Sequence, residues 1–568
     1  MPDLSRYIVN PGPKRPATGL KAAVTTDSAI VTEVMVDVLK AGGNAADAAI
    51  AGCLVQAAVE PFMTNHAGLV TFLYYEAATG KVHQLDSMGA FPSGLAPFKP
   101  VPPGTGSYAL LPPSALVPGF MPGLKAIHQR FGSRPWGALC APAVHWAEQG
   151  HPVSTFEYGV NVFGEKFITY FPEGRDFYLP HGHFPNVGEV FVPKGMAATL
   201  RGVAEQGPDY MITGPWGEAF VKKANEMGWK IKPEHMTEVP PRWVEPLRFK
   251  HHEHEVVSLG PPQAQGLYVA VALGVLKHLG IRGMKPGSAD HWWAMGHALR
   301  QAQRHWEYAQ DDAVYGVPRD EILDDGYHAH LARMIAKSRP KVDLSAHIEL
   351  AGGGAAGGDL MSALSGGGAK PRLAAAKDAE NSQPSGSCEL AVVDAQGNWV
   401  QMMNTLQGSG IPGMVVGGIP MVGSHATFGH LQSPMDATLV PGAKGRCIIG
   451  NTLVLKDGKP VMSAGSPGNV HCTVPQVLSY LLDHQLDPYA AVDAPRMMPM
   501  GEARNIVVED RLPEGAVEGL HRLGVRVSVL PAYDYHMGSY SVIVREGDSD
   551  TYTAVADPRR CAVADGLR

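Results

Sequence analysis

The chain changes character at residue 387, and this change constrains its fold more than any other feature. Residues 351–383, AGGGAAGGDLMSALSGGGAKPRLAAAKDAENSQ, are dominated by small and polar residues and carry no apolar period. A Pro384-Ser385-Gly386-Ser387 entry then leads into an alternating strand at 390–393. The Asp394-Ala395-Gln396-Gly397-Asn398 turn and a second strand over 399–406 complete a hairpin. A Gly/Ala/Ser loop ending in a hydroxyl at the start of a strand suits a self-cleaving hydrolase. The loop bends back, Ser387 attacks the carbonyl preceding it, and cleavage leaves a free α-amine beside the hydroxyl as its general base. On pattern alone, an ordinary linker before an ordinary hairpin is the favoured reading of the same residues.

At 568 residues the chain suits either several domains or one large composite core. Hydrophobic residues at 45% and charged residues at 18% describe a globular composition. A net charge of −7 gives no footprint for nucleic acid or an anionic membrane, so neither is expected as a partner. No apolar run reaches membrane-spanning length, and the N-terminal stretch lacks the apolar core of a secretory signal. Cys53, Cys140, Cys388, Cys447, Cys472 and Cys561 are scattered, with neither a disulfide framework nor a CxxC metal pair.

Periodicity predicts mixed α/β structure. Residues 22–60 read as two buried helices around Gly42-Gly43-Asn44, with Thr26, Asp27 or Ser28 capping the first and Asn44 the second. Strands are expected at 70–75 and 82–85, and amphipathic helices over 115–150. HHEHEVVSLG reads as one strand before a helix at 265–278, and a long helix is expected over 291–310. Beyond 387 come a hairpin around 446–464, a helix over 474–485, and the strands VRVSVL and SYSVIV. Alternation in HHEHE puts His252 and His254 on one face. Without an evident third ligand it reads as an exposed polar strand edge, and no metal or other cofactor is expected.

Ser387-Cys388-Glu389-Leu390-Ala391-Val392-Val393-Asp394, then Gly397-Asn398 and Asn404-Thr405-Leu406-Gln407, resemble the cleavage segment of the γ-glutamyltranspeptidase family of N-terminal-nucleophile hydrolases. LKAGGNAADAAIAG, LVPGFMPGLKAIHQRFGSRPWGALCAPAVHWAEQGHPVS, VVSLGPPQAQGLYVAVALGVL, SAGSPGN and ADPRR also fall in family order, so the resemblance covers nearly the whole chain. It implies a four-layer αββα sandwich, two mainly antiparallel sheets flanked by helices. It also implies a precursor cut into residues 1–386, with the Gly-rich loop at about 351–386, and residues 387–568, together one intertwined unit. Homodimer and heterotetramer both remain open. Many members of the family are exported; the absent signal points instead to the cytoplasm.

By this resemblance Ser387 is the nucleophile, although the family usually has Thr there. Cys388 is a rival thiol whose use would move cleavage by one residue and reverse the face presented. Thr405 matches the hydroxyl that assists the nucleophile, and Gln407 replaces a substrate-binding Asn. Gly468 and Asn469 match the consecutive amides of an oxyanion hole. The γ-glutamyl headgroup contacts of the family are missing. Met88 stands where it has an Arg, Cys447 and Ile448 fall at its Ser-Ser pair, and MVGSHATFGH has no acid for the α-amine. A zwitterion buried without partners is strongly disfavoured. The expected activity is therefore hydrolysis, or acyl transfer, of a small amide other than a standard γ-glutamyl compound. An uncleaved, inactive homologue and a true γ-glutamyl transferase with an atypical pocket are the alternatives.

Overall fold

A computed structural model describes residues 4–94, 117–228, 230–263, 265–305, 308, 311–350, 387–405, 413–421, 442–445, 449–468, 470–500 and 505–568. Among the described residues, fourteen strands build two large sheets: β1 (Ala17–Leu20), β2 (Ala22–Thr26), β3 (Leu69–Glu76), β4 (Lys81–Ser87), β5 (Arg242–Val244), β6 (Leu247–His251), β7 (His254–Ser258), β8 (Ser387–Val393), β9 (Trp399–Thr405), β10 (Gly450–Lys456), β11 (Lys459–Ser466), β12 (Ser541–Arg545), β13 (Tyr552–Val555) and β14 (Val563–Leu567). One sheet has the order β1-β13-β12-β11-β10-β7-β6 and the other β14-β2-β8-β9-β3-β4-β5. Every pairing within them is antiparallel.

Alternation along the strands divides the core into three layers. Between the sheets lie Leu73, Ala391, Val393, Met403, Leu453 and Ile543. The other face of the second sheet, with Phe72, Leu390, Val392 and Met402, is covered by α1 (Ala29–Lys40), α2 (Ala45–Val59), α3 (Phe120–Phe131) and α4 (Trp136–Gln149). The outer face of the first sheet packs on α5 (Gln265–Leu279), α6 (Ala289–Arg304) and α7 (Val470–Leu482). This is the expected αββα sandwich. Among the described residues no helix is long and apolar enough to cross a membrane.

The small residues of α2 place it directly over β8. All fifteen of its residues are buried, and a methyl on Gly52 would lie 2.6 Å from the sulfur of Met35 on α1. Asn44 and Asp47 form a capping box, with Asp47 N donating to Asn44 Oδ1 (2.9 Å) and Asn44 N to Asp47 Oδ2 (3.0 Å). Asp394, in the β8–β9 turn, accepts from Ala45 N (2.9 Å) and from Asn398 N (2.9 Å). Two separate sequence motifs thus meet at one carboxylate. Helix α2 is about 22 Å long at 1.5 Å per residue, close to the span of a seven-residue strand. Its far end, Glu60, therefore arrives beside the first residues of β8.

Two local expectations are corrected. Residues 22–26 are a strand in the sheet interior, not the first turn of a helix; a short, fully buried apolar run carries no period to separate the two. HHEHE is not one strand, because the chain reverses at His252-Glu253, where His252 has φ 54. The helix starting near 291 is described to Arg304.

Candidate active site

Ser387 opens β8 and pairs with Thr405 at the end of β9. Directly opposite residues share a face, with Cβ atoms typically about 4.5–5.5 Å apart, so the two hydroxyls lie within reach of each other. Ser387 is 7% exposed and shares its face with Glu389, Ala391 and Val393, the face turned toward the other sheet. Cys388 faces the opposite way, into an apolar nest of Phe62, Met63 and Val160. Burial pushes its thiol well up, and Glu60 and Asp27 push in the same direction. A protonated thiol behind the sheet is a poor nucleophile.

Strand β8 outruns its neighbour. It pairs with β9 along its whole length, but with β2 only from Leu390 onward. Side chains bind its first residues where β2 stops. Glu389 N donates to Asp27 Oδ2 (3.0 Å), and Arg560 Nη1 donates to the carbonyl of Ser387 (2.7 Å). Arg560 and Asp27 lie 3.7 Å apart, both buried. A methyl on Gly468, whose φ is 85, would lie 3.4 Å from Arg560 Nη2. One guanidinium therefore holds the start of β8 and lies beside the turn after β11. Pro467 O accepts from Ser539 N (3.1 Å), fixing the turn from its other side.

Two carboxyls near Ser387 are disposed to stay neutral. Glu389, two residues along the same face, is raised well above the usual range by burial and then by Asp27, and it accepts from Gln401 Nε2 (2.9 Å). Glu60 is raised to about 8, first by burial and then by Asp27. Burial raises Asp27 as well, opposed by Arg560. Because Glu60 binds its proton more tightly folded than unfolded, its contribution to stability is full below the usual 4.5 and is lost as pH rises through about 8. Replacing Glu60 with Gln should remove that loss. Thermal midpoints recorded from about pH 5 to about pH 9 should fall less in the variant than in the wild type.

Met88 is buried in the inter-sheet layer with Leu69, Met403 and Ile449. Its surroundings hold charges that the sequence did not reveal. Asp86 Oδ1 accepts from Met88 N (3.2 Å), and Arg242 Nη2 donates to Asp86 (3.1 Å) and Asp311 (2.8 Å). The ammonium of Lys444, itself buried, donates to the Asp86 carbonyl (3.1 Å), and burial lowers its pKa. Gln407, Cys447, Ile448 and Asn469 lie outside the described residues. Asp27, Glu60, Lys444 and Arg560 were not singled out as site residues from sequence. Only Arg560 stood in a noted motif, ADPRR, whose adjacent arginines prove to be individually paired: Arg559 bridges to Glu509 (2.6 Å) while Arg560 turns to Asp27.

Comparison with known proteins agrees with the fold. The chain is 23% identical to a glutathione hydrolase proenzyme of Bacillus subtilis, over 98% of this chain and 93% of that protein. It is 24% identical to the acylase ACY 1 proenzyme of a Pseudomonas species, covering 90% and 88%. The crystal structure of a cephalosporin acylase from Bacillus halodurans superposes with a TM-score of 0.79 at 22% identity, covering 98% of both chains. The family model described as gamma-glutamyltranspeptidase matches residues 31–567. With a hydroxyl opening an inter-sheet strand and the fold built around it, the chain belongs to the gamma-glutamyltranspeptidase family of hydrolases and acyltransferases.

Proposed function

We propose that this chain is a self-processing amidohydrolase cut before Ser387, yielding residues 1–386 and 387–568, and that it acts on small amides whose acyl group is not a standard γ-glutamyl. The observation that carries this reading is Ser387 itself, on the inter-sheet face, opposite Thr405, with its carbonyl held by Arg560 beside the Gly468 turn. The Ser387 hydroxyl attacks the amide carbonyl, and its own freed α-amine takes the proton and delivers it to the leaving amine. The Gly468 and Asn469 amides hold the developing oxyanion. Water then attacks the acyl-serine ester, releasing the acid and regenerating the hydroxyl. Transfer replaces hydrolysis where an amine takes the place of that water.

The apolar setting of Met88 supports a small neutral acyl group. Buried Lys444 and half-buried Arg242 nearby favour a second reading, an acyl chain ending in a carboxylate but lacking the α-amine. Among the relatives, the acylase ACY 1 proenzyme supports an acylase activity and the glutathione hydrolase proenzymes the γ-glutamyl alternative. Butyryl, glutaryl and γ-glutamyl anilides, assayed side by side, separate the readings. The expected result is release from butyryl anilide at least about tenfold above γ-glutamyl in kcat/KM, a difference of about 1.4 kcal/mol. Preference for glutaryl would select the carboxylate reading. Preference for γ-glutamyl would overturn both.

A further inference from the structure

The hairpin between β6 and β7 turns at the outer edge of the first sheet, and it brings together residues that sequence alternation separates. His251 ends β6, and His252 follows at φ 54 in a two-residue turn, a position that favours glycine. With that backbone the His252 ring swings inward instead of toward solvent. Both imidazoles then converge on one oxygen: His251 Nε2 lies 3.0 Å and His252 Nε2 2.8 Å from Asp483 Oδ1. Asp483 stands just past the end of α7 and is held by Ser479, whose hydroxyl donates to its other oxygen at 2.8 Å. The side chains of His251 and Asp483 are 1% and 0% exposed, and that of His252 is 19% exposed, so the cluster meets solvent at His252. The sequence pair, His252 with His254, is not the one the fold assembles.

We propose that His251, His252 and Asp483 form a binding site for a first-row divalent cation of the zinc type. Two imidazole nitrogens and a carboxylate oxygen are a common three-ligand set for zinc, with water in the fourth position. Tetrahedral arms of about 2.0–2.2 Å separate ligand atoms by about 3.3–3.6 Å, so an outward movement of the two rings by about half an ångström admits the ion. Ser479 orients the carboxylate from outside the ligand set. The opposing charges nearby are Arg282, which lies 3.7 Å from Glu253, and Lys456, which acts on His254; Glu253 offsets them. The site also has a consequence for assembly that rests on the cleavage proposed above. His251 and His252 precede Ser387 and Asp483 follows it, so the ion would clip the two product chains together.

Untagged protein stripped with a chelator and titrated with Co2+ tests the site by visible absorption. The expected result is one equivalent bound with a tetrahedral spectrum, displaced by Zn2+. Binding should weaken at least tenfold in His252→Ala, whose partly exposed ring can be removed with little effect on folding, and in Asp483→Asn. The same titration on uncleaved Ser387→Ala separates the site from cleavage, and equal binding is expected there. Zn2+ should also raise the thermal midpoint of wild type but not of His252→Ala. No cobalt spectrum, or unchanged binding in His252→Ala, would overturn the proposal. If Zn2+ binds but leaves the urea concentration that separates the two chains unchanged, the clip is refuted.

Discussion

Replacing Ser387 with Ala should leave one chain of 60.5 kDa under denaturing conditions, where the wild type should resolve into fragments of about 41 and 19 kDa. The expectation follows from which side of the sheet each side chain occupies. Ser387 and Thr405 share the inter-sheet face, and Arg560, beside the Gly468 turn, holds the Ser387 carbonyl. Cys388 points to the helix side and is buried against Phe62 and Met63. Cys388→Ala should therefore cleave normally, and the small fragment of wild type should begin at Ser387 by N-terminal sequencing. Amide turnover in Ser387→Ala should fall by about a thousandfold or more, because both the nucleophile and the amine exposed by cleavage are lost together. Ser387→Thr keeps a hydroxyl at the same place and should still process. A small chain beginning at Cys388 would move the chemistry to the thiol. An intact wild-type chain, stable for days, would leave Ser387 without a base and favour the inactive homologue.

What the sequence disclosed was what is local. The hairpin from Ser387 to Thr405 was legible because its turn, its alternation and its spacing all lie within twenty residues. Asn44 was legible as a cap because its partner, Asp47, is three residues away. The strand Ala22–Thr26 was misread for a related reason: five buried residues contain too little period to separate strand from helix, and the sheet around them decides. The contacts that position Ser387 are remote. Asp27 meets the start of β8 only because β2 ends three residues short, and Arg560 reaches it from the last strands of the chain. The charges beside Met88 come from positions 86, 242, 311 and 444. Their absence from the headgroup motifs was visible in sequence, but their presence elsewhere was not. His251 and His252 are the same case: strand alternation assigns neighbours to opposite faces, and one residue with positive φ puts them on the same carboxylate.

Arg560→Ala should destabilise the fold by about 3–5 kcal/mol and slow cleavage as well, because one guanidinium serves two purposes. It is the counter-charge of buried Asp27, and it donates to the Ser387 carbonyl. Truncation leaves Asp27 without its cation and Ser387 without its hold. The two losses are separable. Asp27→Asn combined with Arg560→Met removes both charges and fills part of the volume, so stability should recover most of the way, as buried ion pairs replaced by uncharged residues of similar size often do. Cleavage should not recover, since no donor then fixes the Ser387 carbonyl. Stability belongs in the uncut Ser387→Ala background, where urea unfolding does not also separate two chains; cleavage is followed by the appearance of the small fragment over time. If Arg560→Ala unfolds within about 1 kcal/mol of its parent and cleaves at the wild-type rate, the guanidinium neither neutralises Asp27 nor positions Ser387. If the double variant regains cleavage together with stability, Arg560 acts through the fold alone.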